Sequence, residues 1–250
     1  ILLDCGLYQG MGEQTDRLNR SLLLDPSHLE AVVLSHAHID HSGALPYLVH
    51  QGFNGKIYCT EATMDVCRLL LFDSAHIQES DVHYINKRRT RKGAPPIRPL
   101  YTLKDAEQCM KRFKAIPFHT EFHLNDEISF VFTPNGHIIG SAAVNLKIRE
   151  SGKLTRLTFT GDVGRYSDPL LNAPEPFPQA DYIITESTYG NKIHEKRSDV
   201  EENLLKIVKH TCVEKKGKLI IPAFSLGRTQ ELLYVFDKLK NRGSLPKIKI

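Results

Sequence analysis

A chain of 250 residues, 41% hydrophobic and 25% charged with a formal net charge of +4, has the make-up of an ordinary globular protein of one domain or slightly more. Apolar runs never approach the ~20 residues needed to span a bilayer, and Ile1-Leu2-Leu3 lacks the basic-then-apolar order of a secretory leader. The five cysteines (Cys5, Cys59, Cys67, Cys109 and Cys212) are odd in number and hold no Cys-x-x-Cys pair, which suggests neither a disulfide framework nor a cysteine zinc site and reads as a reduced, cytoplasmic protein.

In chain order, Ile1 already lies inside a strand, which ends at the turn Asp4-Cys5-Gly6. Ala31 to Leu34 read as a buried strand and Gly43 to Val49 as the start of a helix. The loop between them holds His36, His38, Asp40 and His41. Imidazole nitrogens and carboxylate oxygens are the usual ligands of zinc-like ions, and loops at strand ends commonly carry chemistry. His36 and His38, two apart, can share one side of an extended loop, leaving Asp40 and His41 to face a second ion. Surface histidines, or a single structural metal, are the alternative, although structural zinc more often draws on cysteine pairs.

Thr60 is an N-cap for a helix running to about Phe72. Lys87-Arg-Arg-Thr-Arg-Lys92 puts five cations in six residues; it reads as a solvated loop, with phosphate contact as the second reading. Arg91 to Pro99, with three prolines, is a linker expected to cross the surface near the site. Thr102-Leu-Lys-Asp105 opens a helix ending near Phe113. Ile128 to Thr133 is a strand, and the loop after it carries His137. Ala142 to Arg149 and Leu154 to Thr160 form a hairpin around Ser151-Gly152, leading to Asp162. Tyr182 to Thr185 is a further strand, ending at Glu186. Taken singly, His137 is a loop histidine and Asp162 a turn residue; their shared strand-end placement makes them ligand candidates.

After Gly190 the pattern changes. Ser198-Asp-Val-Glu201 is a capping box before a helix with Leu204, Leu205 and Val208, and Gly217 lies past its end. Lys218 to Ile221 then reads as a strand and about Arg228 to Lys240 as a helix, so a second α/β domain is expected from near residue 190. Leu245 to Ile250 begins another strand, and the chain reads as a piece of a longer protein.

The Ile1 to Gly6 turn, the His-x-His-x-Asp-His run, Asn135-Gly-His-Ile-Ile-Gly-Ser141 and Thr160-Gly-Asp-Val-Gly-Arg165 together resemble the metallo-beta-lactamase superfamily. Glu186-Ser-Thr-Tyr-Gly190 and Pro222 to Leu232 are similar to its beta-CASP branch, nucleic-acid hydrolases that include messenger-RNA 3′-end-processing endonucleases and ribonuclease J-like enzymes. The resemblance implies an α/β (α+β) fold: a metallo-beta-lactamase αββα sandwich over residues 1–188, then the start of an inserted α/β beta-CASP domain over 189–250. It implies that His36, His38 and His137 hold one metal, that Asp40 and His41 hold another, that Asp162 bridges them, and that a histidine beyond Ile250 completes the second site. Two zinc ions are expected, with manganese accepted by the same donors. Asp40 also orients the nucleophile, while Asp4 supports a ligand through hydrogen bonds instead of binding metal. Asn135 stands where relatives often have Ala, a harmless departure. Glu186 pairs with a second histidine outside the chain to protonate the leaving oxygen, or else caps Thr188 or Tyr189. Ser225, Arg228 and Thr229 hold a substrate phosphate, or else form a helix cap.

The implied activity is metal-dependent cleavage of single-stranded RNA, endonucleolytic or 5′-exonucleolytic, by a homodimer or a processing complex that does not engage membranes. A thioester or lactone hydrolase would lack the domain after residue 190, and an inactive scaffold would have lost ligands. The chain as it stands is expected to be weak or inactive.

Overall fold

Three apolar residues without a break, Ala31 to Val33, suit a strand buried on both faces, and β2 lies inside a parallel sheet. The computed structural model describes residues 1–10, 12–193 and 200–249, in two compact units, Ile1–Glu186 and Ser187–Ile250. In the first unit, β1 (Leu2–Leu3), β2 (Ala31–Val33), β3 (Lys56–Cys59) and β4 (Phe113–Ala115) form one parallel sheet in that order. Parallel neighbours require crossovers, supplied by α1 (Gly12–Asn19), α2 (Ile39–Ser42) with α3 (Leu45–His50), and α4 (Glu61–Arg91) with α5 (Leu103–Met110). A second sheet runs β5 (Phe122–His123), β6 (Ile128–Pro134), β7 (Ala142–Glu150), β8 (Lys153–Phe159), β9 (Tyr182–Ile184), antiparallel except that β9 is parallel to β8.

Strand alternation decides what lies between the sheets. Ala31, Val33 and Tyr58 meet Phe130, Phe132, Val144 and Leu146 in one buried cluster. Val32 and Ile57 point to the opposite face and are fully buried too, under the crossover helices. Phe130 and Phe132 each contribute about 2–3 kcal/mol of transfer free energy to this core. The β7–β8 hairpin turns on Ser151 (φ 52°) and Gly152 (φ 80°), the two positive φ angles of a type I′ turn.

Several expectations need correction. The helix capped by Thr60 does not stop near Phe72 but runs to Arg91, so the cationic run is helical instead of a loop. No Gly or Pro interrupts the chain between Gly55 and Gly93 to end it. Thr63, Cys67, Leu71 and Ala75, spaced four apart, bury its first half. The Pro-rich linker folds back along α4, where Asn86 and Ile97 exchange two hydrogen bonds (2.9 and 2.8 Å) and Leu100 N donates to Gln78 Oε1 (3.2 Å). Asp40 and His41 sit in the short helix α2, with Gly43 N donating to Ile39 O (2.8 Å).

In the second unit, α6 (Val200–Val208) continues into a π-helical turn, Lys209–Glu214, and α7 (Arg228–Asn241) follows. Glu201 accepts from both Lys238 and Arg242, linking the two helices. The expected strand at Lys218 to Ile221 is irregular, because among the described residues it finds no partner strand; Ile220 is 83% exposed. Of the expected capping box, Ser198 and Asp199 lie outside the described residues.

The Asp4-Cys5-Gly6 turn lies directly on α2: Cys5 N donates to His41 O (2.7 Å) and Leu7 N to Ile39 O (3.0 Å). A Cβ at Gly6 would sit 1.5 Å from Asp40 O. Gly6→Ala is therefore expected to cost about 3 kcal/mol or more in urea unfolding, and a change within experimental error would contradict this packing.

Candidate metal centre

The loops that leave β1, β2, β6 and β8, and the residue two past β9, bring the ligand-type side chains together. His36 is fully buried; His38, His41, His137 and Asp162 are half-buried. His36 Nε2 and His137 Nε2 each lie 3.1 Å from His38 Nδ1. Asp162 Oδ2 lies 3.4 Å from His137 Nε2 and 3.9 Å from His36 Nε2. In a tetrahedral site with bonds of 2.0–2.1 Å, ligand atoms sit about 3.3 Å apart, so these four atoms have the spacing of one coordination shell. The other oxygen, Asp162 Oδ1, is 3.2 Å from His41 Nε2, and Asp40 Oδ2 is 4.0 Å from that nitrogen. Asp162 thus presents one oxygen to each group.

Hydrogen bonding fixes which ring nitrogens carry lone pairs. Asp4 accepts from Ser35 N (2.7 Å), Ser35 Oγ (2.6 Å) and His41 Nδ1 (2.6 Å). A carboxylate only accepts, so the Ser35 hydroxyl spends its one proton on Asp4. Ser35 Oγ must then accept from His36 Nδ1, 3.0 Å away. His36 Nε2 is left bare, and His41 Nε2 likewise, because its Nδ1–H is given to Asp4. A bare His41 nitrogen facing a carboxylate at 3.2 Å is repulsive unless a cation joins them. Without metal, that cation is a proton. Burial opposes charge on His41, but hydrogen bonds to Asp162 and Asp4 outweigh it and raise its pKa to about 10. The hydrogen bond from His41 in turn lowers Asp162 to about 2.

The other three imidazoles are held neutral. Burial, then His41 and His38, keeps His36 well below the usual range. Burial, then His137, lowers His38, and burial lowers His137 against the pull of Asp162 and Glu186. Neutral imidazole is the form that binds metal. This donor set fits a pair of divalent ions: His36, His38 and His137 with one oxygen of Asp162 could hold the first, and His41 and Asp40 with the other oxygen could hold the second. Asp4, although within 4.8 Å of His36 and His41, has its carboxylate committed to three hydrogen bonds.

The sequence reading missed the residues that position these ligands. Ser141 Oγ accepts from His137 N (3.0 Å) and Ile138 N (3.1 Å). Thr60 and Thr63 hydroxyls both donate to Gly140 O (2.6 and 2.9 Å), tying the start of α4 to the His137 loop. Asn135 is not a neutral replacement. Fully buried, it donates Nδ2–H to Thr160 O (2.8 Å), while its main-chain carbonyl accepts from Gly164 N (2.8 Å), so it joins the His137 and Asp162 loops. Its Oδ1 has no protein partner. At Gly164 a Cβ would meet Gly136 O at 1.9 Å, so the loops touch backbone to backbone. Only Ser35, inside the histidine run, carried a signal in its position.

Glu186 Oε1 accepts from Val163 N (2.9 Å), next to Asp162, so it supports that loop. Ser225, Arg228 and Thr229 belong to the second unit, where Gly227 caps α7. Arg228 Nη1 pairs with Glu231 Oε2 (2.6 Å), Thr229 Oγ1 donates to Phe224 O (2.6 Å) and Gln230 Nε2 donates to Ser225 O (3.0 Å), closing the turn.

A family model described as "Metallo-beta-lactamase superfamily" matches residues 1–202. The chain is 34% identical over 240 residues to "Cleavage and polyadenylation specificity factor 73" of Drosophila melanogaster, covering 95% of this chain and 32% of that protein. It is 31% identical over 235 residues to "Ribonuclease TTHA0252" of Thermus thermophilus, covering 94% and 48%. To "RNase J-like protein" of Methanocaldococcus jannaschii it is 30% identical over 253 residues, covering 100% and 52%. The chain therefore spans about a third to about half the length of these relatives.

Asp4→Asn would hold the turn but lose the acceptor that fixes both imidazoles. It is expected to weaken metal affinity about 10–100-fold, read by competition with a chromogenic chelator. An unchanged affinity would contradict the positioning role.

Proposed function

The chain belongs to the metallo-beta-lactamase superfamily, and we propose that within it this protein is a metal-dependent ribonuclease of the beta-CASP branch, cleaving phosphodiester bonds of single-stranded RNA. On this reading residues 1–188 are the catalytic domain and residues 189–250 open the beta-CASP domain. The observation that carries the metal assignment is the two-sided Asp162 carboxylate, with imidazole nitrogens at 3.4 Å from one oxygen and 3.2 Å from the other. RNA as substrate is supported by relatives whose names are those of ribonucleases.

We assign His36, His38 and His137 to the first ion, Asp40 and His41 to the second, and Asp162 to both, with zinc as the metal and manganese as the alternative. When bound, such a pair lowers the pKa of a shared water toward about 7 and offsets charge on the attacking and leaving oxygens. The protein's own groups position that chemistry. Asp40 is half exposed beside His41, placed to accept a proton from the attacking water and to align it. Asp4 keeps His41 and, through Ser35, His36 in the one tautomer that presents Nε2. Glu186 keeps the Asp162 loop in register through Val163 and lies within electrostatic reach of His137, placed to pass a proton toward the leaving oxygen. Every ligand-type residue that the resemblance places within residues 1–250 is present, which favours an enzyme over a scaffold. Five free thiols fit a reducing compartment, and we place the protein in the cytoplasm, alone as a homodimer or within a processing complex. Among the described residues no helix is long and apolar enough to cross a membrane.

In the full-length protein, His38→Ala and Asp162→Ala are each expected to lower the rate of RNA cleavage at least about a thousandfold, equal to about 4 kcal/mol of transition-state stabilisation. Chelation should abolish cleavage and added zinc restore it. Cleavage that survives both substitutions, or thorough chelation, would overturn the proposal.

A further inference from the structure

We propose that the C-terminal third of α4 is a second RNA-contact site, which grips the strand far from the metal centre; this rests on the reading of RNA as the substrate. Between Asp81 and Asp105 the chain has no acidic residue and carries Lys87, Arg88, Arg89, Arg91, Lys92, Arg98 and Lys104, so the remainder of a +4 chain is slightly acidic. Lys87, Arg88, Arg91, Lys92 and Arg98 are exposed, and among the described residues none has a side-chain hydrogen bond or ion pair. Some other cations of this unit are engaged, as Arg20 is with Asp16 and Lys147 with Glu121. Cations also complement a helix C-terminus, but that effect fades within the last turn, and Lys87 and Arg98 lie outside it.

Tyr84 singles out a nucleic acid from other anions. It is 63% exposed and lies three, four and seven residues before Lys87, Arg88 and Arg91, which puts all four on one face of the helix. An exposed aromatic ring among cations is the combination that binds single strands, stacking a base while neighbouring charges hold phosphates. The surface is also held in shape. Asn86 and Ile97 exchange two hydrogen bonds, Arg89 Nε donates to Pro95 O (2.7 Å), and Arg20 Nη2 donates to Arg98 O (2.9 Å).

The helix sets the distance. Its first turn is bonded to the His137 loop through Thr60 and Thr63. Tyr84 to Arg91 lie 21 to 28 residues beyond Thr63, roughly 30–40 Å at 1.5 Å per residue. At about 3.4 Å per stacked nucleotide, a stacked strand needs roughly ten or more nucleotides to reach both sites.

The test compares cleavage of a short oligonucleotide, about five nucleotides long, with a strand of about thirty carrying the same cleavage site. Both are assayed with the full-length wild type, the triple variant Lys87→Gln/Arg88→Gln/Arg91→Gln, and Tyr84→Ala. Expected in the triple variant is a fall of roughly tenfold or more in the ratio of kcat/KM for long over short RNA. The salt dependence of binding the long strand should become shallower by about two units on a log–log plot, because each phosphate contact to a single strand contributes about 0.7. Tyr84→Ala should lower the same ratio while leaving the salt slope in place, separating stacking from charge. An unchanged ratio in both variants would overturn the proposal, as would an equal loss on short and long RNA. If the wild type cleaves neither RNA, the ribonuclease reading fails, and anisotropy of a labelled thirty-nucleotide strand decides the surface alone: weaker binding by the triple variant supports it. Equal binding, the result expected if the patch served an acidic protein, refutes it.

Discussion

The Asp4 carboxylate is the constraint on which the metal centre depends. Its three acceptor contacts, each 2.6 or 2.7 Å, consume the Ser35 hydroxyl proton and the Nδ1 proton of His41. Everything beyond follows from where those protons go: two imidazoles are left with bare Nε2 atoms that need a cation between them and Asp162. Asp4 holds this place with a φ of 56°, a left-handed conformation that Asp tolerates better than most residues. The neighbouring Gly6 lets the turn press onto the backbone of α2. A short turn at the start of the chain thus determines the electronic state of histidines more than thirty residues later.

The fold supplies the convergence. A parallel sheet and a mostly antiparallel one pack face to face, and the ligand-bearing loops leave both at the same edge. The loops then brace each other: the Asn135 amide spans to Thr160, Gly136 meets Gly164, and the α4 N-terminus grips Gly140. Ligands held in this way are preorganised, so the favourable energy of binding an ion is not spent on ordering loops.

Much of this was legible in the sequence because metal ligands have few substitutes. Four ligand-type residues after an apolar strand, followed by His137 and Asp162 at later strand ends, mark a site by residue type and placement alone. The hairpin around Ser151-Gly152 and the caps at Thr60 and Thr102 were readable for the same reason, since each requires particular residues. The long reach of α4 was not, because none of its residues after Ala75 is fully buried and so its second half has no apolar period to read. The strand expected at Lys218 to Ile221 had a β-like composition, but a strand exists only with a partner, and composition carries no pairing information. Asn135 looked neutral since its role is to span two loops that are adjacent only in space.

The central claim, that two ions share the Asp162 carboxylate, is tested most directly by an anomalous-difference map of the metal-loaded full-length protein. The account predicts two peaks. One lies within bonding distance of His36 Nε2, His38 Nδ1, His137 Nε2 and one oxygen of Asp162; the other is bonded to His41 Nε2, Asp40 and the second oxygen. A single peak, or an ion coordinated by Asp4 in place of Asp162, would contradict it.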